Sequence, residues 1–260
     1  MCGRLTVALT AMVNGQPHRA TRSDILIDGT NPNAAELGAA LPDAIVRQMV
    51  MQKSGRKQFS DAPTRIYSAQ AVNPNWSSDG LRGVGLGQLT NPPPSDADIW
   101  NWRENARSLQ QRFAEKQQSA NRFAARVAGS PRFIREVAAL NAWRAAEGQR
   151  PIRVTAPALI PAERDREALR GYNGFGPTVA GQYLDHVHEY EPRMTRHTAA
   201  TRKNAAGAPL TSGDLLAVDA SGAIGWQQIS GPERRRRYVQ AGRRVPGEPY
   251  YVAQVLAQPS

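Results

Sequence analysis

The chain has 260 residues, 33 basic and 22 acidic side chains, and a formal net charge of +11. That length fits one large domain or two small ones, and a hydrophobic content of 40% separates the chain from disordered sequences. No apolar run reaches the roughly 20 residues of a membrane helix, and the opening Met1–Thr10 segment is too short and too polar for a signal peptide. The single cysteine, Cys2, excludes an internal disulfide and a cysteine-based metal cluster. The fold therefore rests on a core and tolerates a reducing compartment.

In chain order, residues 4–13 and 24–28 read as two strands, the first by alternation and the second as a short apolar run. Gly29-Thr30-Asn31-Pro32-Asn33 is a breaker cluster that ends in a helix cap, and a short helix follows over Ala34–Leu41. Pro42-Asp43 opens a second helix, with Ile45, Val46, Met49 and Val50 at helical spacing and a stop near Gly55. Residues 60–94 are rich in glycine and proline and read as loop and turn. Ser95 or Asp96 caps a long helix through Val127, with Ile99, Trp102, Ala106, Leu109 and Phe113 as its apolar stripe. Further helices are predicted over Pro131–Ala146 and Pro161–Leu169. From about residue 208 the texture changes, and 214–229 reads as a hairpin around Ser221-Gly222. The run Tyr250–Leu256 fits strand or helix equally well.

The charge is uneven. Only four of the 33 basic residues are lysine, and residues 231–244 carry Arg234, Arg235, Arg236, Arg237, Arg243 and Arg244 against Glu233. Such a block attracts nucleic acid, anionic lipid or an anionic cell-wall polymer, or is simply a solvated surface of an arginine-rich chain.

Three segments stand in order: Gln52-Lys53-Ser54-Gly55-Arg56-Lys57-Gln58-Phe59 at a helix end, Asp79-Gly80-Leu81-Arg82-Gly83-Val84-Gly85-Leu86-Gly87-Gln88-Leu89-Thr90, and Leu169-Arg170-Gly171-Tyr172-Asn173-Gly174. Together with Trp100-Asn101-Trp102-Arg103-Glu104-Asn105 they resemble the lytic transglycosylases and goose-type lysozymes, glycosidases of peptidoglycan. The resemblance covers residues 24 to about 190 and resumes at Tyr251-Val252-x-x-Val255. It implies a mainly α, lysozyme-like fold over residues 34–260, with a β-hairpin insertion near 208–230. Residues 1–33 would form an N-terminal strand segment, and a small β element would come from the two ends of the chain.

The resemblance also implies a site. In the family a helix ends in Glu-Ser, a Gly-Leu-Met-Gln turn lines the sugar cleft and a Tyr-Asn-Gly segment closes it. Cleavage needs a protonated acid beside the leaving oxygen and support for an oxocarbenium-like centre. A glycine-rich turn lets backbone approach a sugar and its acetamido group. On this pattern Lys53 occupies the position of the general-acid glutamate, and Asp79 that of the aspartate that positions water for an inverting attack. Ser54, Gly85, Leu86, Gln88, Tyr172 and Asn173 would contact substrate. Thr90 stands where a second aspartate is expected. A lysine is not a carboxylic acid, so two functions are carried forward: cleavage of the bond between N-acetylmuramic acid and N-acetylglucosamine, and a wall-binding module of the same fold without turnover.

Other residues take plainer readings. Glu104 is a favourable charge in a first helical turn. Trp100 and Trp102 pack in the core, and Gln58-Phe59 packs beneath the helix end. His186 and His188, two apart, face one side of a strand without a third ligand, so no metal and no other cofactor is implied. Ser-Asp-Gly at 78–80 is also an ordinary turn sequence, which stands beside the functional reading of Asp79. The expected partner is the peptidoglycan glycan strand, not a membrane or nucleic acid. A wall substrate and no signal peptide imply a chain made in the bacterial cytoplasm and carried to the wall or a target periplasm. The resemblance points to a type VI secretion effector domain, with its secretion machinery and an immunity protein as partners, or to a phage muralytic enzyme.

Overall fold

Two long strands, β1 (Gly3–Val13) and β2 (Gln16–Ile27), form an antiparallel hairpin with Val13 opposite Gln16. Asn14 and Gly15 sit at φ +50° and +76°, the left-handed pair that a two-residue turn matched to strand twist requires. Two separate strands at 4–13 and 24–28 were expected. The Asn-Gly turn instead joins them and recruits residues 16–23 to the second strand. The computed structural model describes residues 3–27, 29–63, 72–77, 83–173, 178–179, 182–183, 188–197, 213–240 and 250–260.

Helix α1 (Ala34–Ala40) starts at a capping box in which Asn33 and Glu36 bond each other's backbone N–H. Helix α2 (Ala44–Ser54) is capped by Asp43, which accepts from the Ile45 N–H at 2.8 Å, and stops at Gly55 in the left-handed region. Strands β3 (Phe59–Pro63) and β4 (Val72–Pro74) pair antiparallel within the stretch expected to be loop. The single helix expected from 96 to 127 is broken twice, giving α3 (Asp96–Trp100), α4 (Trp102–Asn121) and α5 (Phe123–Ala128). The first break is Asn101, whose extended backbone leaves its Oδ1 to accept from the Arg103 N–H at 3.0 Å, so it caps α4. Trp102, Ala106, Leu109 and Phe113 are buried on α4, as their spacing predicts.

Helix α6 (Pro131–Ala146) keeps its expected bounds, whereas α7 (Pro161–Tyr172) runs three residues past Leu169. Short strands β5 (Thr178–Val179), β6 (Gln182–Tyr183), β7 (Tyr190–Pro192), β8 (Met194–His197), β9 (Gly213–Leu216) and β10 (Trp226–Gln228) follow, then α8 (Gly231–Gln240) and α9 (Tyr251–Leu256). The hairpin expected near 208–230 is half right. Asp219 Oδ1 does accept from the N–H groups of Ser221 and Ala223 in a tight turn. The arms pair with each other only next to the turn, at the antiparallel bridge of Val218 and Ile224 and through the Asp219 N–H to the Ala223 carbonyl at 2.9 Å; further out β9 pairs with β8 and β10 with β7.

The mainly α expectation is therefore corrected. Five two-stranded antiparallel sheets lie among the described residues, and the composition is about 47% helix and 21% strand, a mixed α and β protein. Two causes lowered the strand expectation: residues 16–23 were not read as strand, and short strands such as β7, β8, β9 and β10 find partners distant in sequence, a pairing that local periodicity does not carry.

The chain divides into two compact units: residues 1–112 with 253–260, and residues 113–252. In the first, α2 buries Val46, Met49 and Val50, and its polar side holds the chain's end through Gln48 Nε2 to the Gln258 carbonyl and Gln52 Nε2 to Gln254 Oε1. In the second, Phe123, Val127, Phe133, Leu140, Tyr190, Leu216 and Ile224 form one apolar cluster.

Beside that cluster lies a buried ionic network. Glu167 accepts from Arg170 Nη2 at 2.6 Å and Nε at 3.0 Å, from the Glu189 N–H at 2.8 Å, and contacts His188 Nδ1 at 2.7 Å. Glu189 in turn binds Arg234 and accepts from Gln228 Nε2 at 2.7 Å. Burial pushes the Glu167 carboxyl up, but Arg170 and the His188 hydrogen bond outweigh it and hold it at about 2. Burial likewise lowers His188, which stays neutral and gives its Nδ1 proton to Glu167. Burial raises Glu189, with Arg234 and Gln228 pulling the other way.

The arginine block thus has an inward face. Arg234 is buried on Glu189, Arg237 binds Glu191 at 2.8 and 3.0 Å, and Arg236 binds Glu233 at 2.6 and 2.7 Å. Of the four arginines at 234–237, three are paired with carboxylates, and Arg235 is exposed.

Because Glu167 sits below its unfolded value, its contribution is complete above about pH 4.5 and is lost as pH falls through about 2. The shift corresponds to about 3 kcal/mol. Glu167→Gln should lower unfolding free energy near neutral pH by about 3–5 kcal/mol, the range for breaking a buried pair, and should flatten acid sensitivity below pH 4.5. Urea titrations of both proteins across that range test this, and parallel pH profiles would contradict it.

Candidate functional site

The end of α2 and the glycine-rich turn are joined by one side chain. After Gly55 the chain turns through Arg56, at φ +69°, and enters the interior at Gln58 and Phe59. Gln58 is fully buried. Its Nε2 donates to the carbonyls of Asp98 and Ile99, both at 2.9 Å, and its Oε1 accepts from the Leu86 N–H at 3.1 Å. Its backbone N–H and that of Phe59 donate to Asn31 Oδ1 at 2.8 Å. Gln58, four residues beyond α2, thereby ties the C-terminal half of α3 and the turn to the segment that leaves that helix.

The turn itself is a tight loop closed by Val84 and Leu89, which exchange backbone hydrogen bonds at 3.1 and 3.2 Å. Gln88, at φ +48°, donates its N–H to the Gly85 carbonyl at 3.2 Å. Asn105 holds the loop from α4: its Nδ2 donates to the Val84 and Asp98 carbonyls, and its Oδ1 accepts from the Gly87 N–H at 2.9 Å. Gly85 adopts φ +71°, and a Cβ there would collide with the amides of both Gln58 and Asn105. Glycine is required at that position by space as well as by conformation.

The Asp98 carbonyl that receives both amides is itself fixed. Ser95 Oγ and Ser108 Oγ donate to the Asp98 carboxylate at 2.7 and 2.6 Å. Burial raises that carboxyl, and the serine hydrogen bonds overcome the effect and leave it below the usual range.

Against this frame the expected site residues fall into four groups. Lys53 is half-buried in the last turn of α2, and Ser54 beside it donates its hydroxyl to the Val50 carbonyl at 3.1 Å. Gly85 and Leu86 are buried, so Leu86 contributes a core side chain where a sugar contact was expected. Gln88 is half-buried, and its Nε2 donates to the Asn75 and Gly85 carbonyls at 3.0 Å, which gives it a structural duty. Thr90 Oγ1 donates to the Gln88 carbonyl at 3.1 Å. Tyr172 closes α7 and Asn173 caps it, donating its N–H to the Leu169 carbonyl at 3.1 Å; both belong to the second unit. Asp79 and His186 lie outside the described residues.

Of the plainer readings, Trp102 and Gln58-Phe59 are buried, while Trp100 is half-buried. Glu104 pairs with Arg107 at 2.7 Å on α4. His188 is a hydrogen-bonded core residue, and among the described residues no group of three metal-ligating side chains converges. The residue that sequence reading undervalued is Gln58. Its signal was a long polar side chain placed directly before a phenylalanine where the chain returns to the core.

Comparison with protein-family models, curated proteins and solved structures returned no match.

Gln58→Ala would leave the Leu86 N–H and the carbonyls of Asp98 and Ile99 without this partner. It should destabilise the protein by about 2–3 kcal/mol, and Gly85→Ala should do comparable damage. The exposed Thr90→Ala should stay within about 0.5 kcal/mol of the parent. Chemical denaturation of the three variants distinguishes an anchored turn from one held by other means.

Proposed function

We propose that the first unit carries a peptidoglycan glycan-binding cleft of the lysozyme and lytic transglycosylase type, in which Lys53 takes the position of the general acid and leaves glycan cleavage weak. The observation that carries the reading is the joining of the motif segments. The Gln58 side chain, four residues beyond the Lys53-Ser54 helix end, is bound together with the Gly85–Gln88 turn and Asn105 of α4 through its own amide and the Asp98 carbonyl, although Gln58 and Asn105 are 47 residues apart. The lysozyme-type resemblance predicts that union, and a turn of unrelated purpose would not call for it.

The chemistry follows from the residue types. Cleavage of a glycosidic bond delivers a proton to the departing oxygen while positive charge develops on the sugar ring. An alkylammonium holds its proton far more tightly than a carboxylic acid, and its charge opposes the developing one. Lys53 therefore withholds both contributions at once. The backbone groups of a glycine-rich turn and a neighbouring amide serve binding, and neither depends on the acid. On the same resemblance the glycan lies outside the cytoplasm, reached through a secretion or phage machine.

Lys53→Glu should raise muropeptide release from purified peptidoglycan by about 10²–10⁴-fold, the usual worth of a positioned general acid. Co-sedimentation with insoluble peptidoglycan should be similar for the two proteins. Equal release by both, abolished by Asp79→Asn, would move the chemistry to Asp79. Failure of both to bind or cleave the wall would end the glycosidase reading.

A further inference from the structure

The hairpin of β1 and β2 is a two-stranded sheet with no third strand among the described residues. Residues 6–23 are exposed throughout, apart from a half-buried Val7. Isolated two-stranded ribbons of this kind are marginal in water, and each strand presents one unpaired edge. The two edges differ sharply. On β2 the edge is guarded by Pro17, by Arg19 and Arg22, and by a bulge, since three steps from Ile25 to Arg22 face two from Leu5 to Val7. On β1, residues 5–13 read Leu-Thr-Val-Ala-Leu-Thr-Ala-Met-Val, with no charge, no proline and no glycine. Leu9, Met12 and Val13 are 68%, 67% and 50% exposed, three of the seven large exposed hydrophobic residues among those described. Long, flat, uncharged edges of this sort pair with another strand.

We propose that the occupant is a second copy of the chain: two β1 strands pair antiparallel about a two-fold axis at Leu9, giving a four-stranded sheet in the order β2-β1-β1-β2. The uncharged span 5–13 is centred on Leu9, so this register pairs all of it with itself. Leu9 faces Leu9 of the partner subunit and Val7 faces the partner's Ala11. Strand alternation keeps Val7, Leu9, Ala11 and Val13 of both copies on one face, whereas a one-residue slip would scatter them. The charges agree with this choice. Strand spacing of about 4.8 Å puts the two β2 strands roughly 14 Å apart, beyond the screening length of about 8–10 Å, so the arginines of the two copies do not oppose one another. Pairing through β2 would set them side by side. A lipid occupant would leave unpaired backbone groups in hydrocarbon, which is costly, and an acidic partner strand would find no charge on residues 5–13 to answer it. This surface is independent of the glycan reading.

Sedimentation velocity of the whole chain from low micromolar to submillimolar concentration tests the proposal, together with two substitution pairs. The wild-type chain should show a monomer–dimer equilibrium. Leu9→Lys should raise its dissociation constant at least about tenfold, because like charges then lie directly opposite, while Thr21→Lys on β2 should leave it unchanged. In a Cys2→Ser background, oxidation should link Leu9→Cys into a covalent dimer far more readily than Thr21→Cys. Far-UV circular dichroism confirms that each variant is folded. A chain that stays monomeric at every concentration, a dimer indifferent to Leu9→Lys, or a monomer that binds anionic vesicles in a Leu9-dependent way would each overturn the proposal.

Discussion

The buried amide of Gln58 is the constraint on which the first unit depends. A primary amide in a dry interior is costly unless its donors and acceptor are all engaged. Here both donors and the acceptor are used, and they reach two segments: the donors go to Asp98 and Ile99 of α3, and the acceptor takes the Leu86 N–H of the turn. That requirement fixes more than one loop. It demands a carbonyl pair in the C-terminal half of α3 and a backbone N–H in the turn, with Gly85 keeping space open between the amides. Asn105 repeats the device from the opposite side. Two amides that meet on one carbonyl specify one arrangement of three segments, a kind of definition apolar packing alone does not supply.

The second unit solves a related problem with charge. Glu167 and Glu189 are almost wholly enclosed, and each has a guanidinium and further donors around its oxygens. Such networks contribute less to net stability than their contact distances suggest, since taking the ions out of water costs nearly as much as pairing returns. Their firmer consequence is positional: Arg234 and Arg237 seat α8 on the β7 region through Glu189 and Glu191. The same pairs change the meaning of the sequence's strongest charge signal. A run of four arginines reads as one open polyanion site until the carboxylates that hold Arg234 and Arg237, more than 40 residues upstream, are known.

How far the fold was legible follows from the range of each interaction. Helices α2 and α6 were readable because caps, stops and apolar spacing all lie within the element. The breaks at Asn101 and Arg122 were hidden because the apolar stripe continues across them, and only backbone bonding reveals the interruption. The Asn14-Gly15 hairpin was available to inspection and passed over, since strand 16–23 is polar and lacks a clear alternation. Pairings such as β7 with β10 and β8 with β9 had no local signal at all. Of the site, the motif segments could be found but not their duties. Leu86 and Gln88 were read as ligand contacts, while the structure gives the first to the core and commits the amide nitrogen of the second to backbone.

That division of duties bears on what position 53 can mean. The turn is held by hydrogen bonds from Gln58, Asn105 and Gln88, and Asn75 and Asn31 fix the segments they bond. The bonds of this set come from side chains and backbone downstream of α2 or before it, and none of them is made by residue 53. The scaffold of the turn and the group proposed to do chemistry beside it are thus made by different residues in this chain. On the proposed reading, such a protein would lose turnover by a single change of side chain and keep the costly part of its construction, the enclosed amides and the crowded glycine. Conversely, damage at Gln58 or Gly85 removes the surface on which either binding or cleavage would depend. The lysine therefore alters the chemistry of the proposed site and not its architecture.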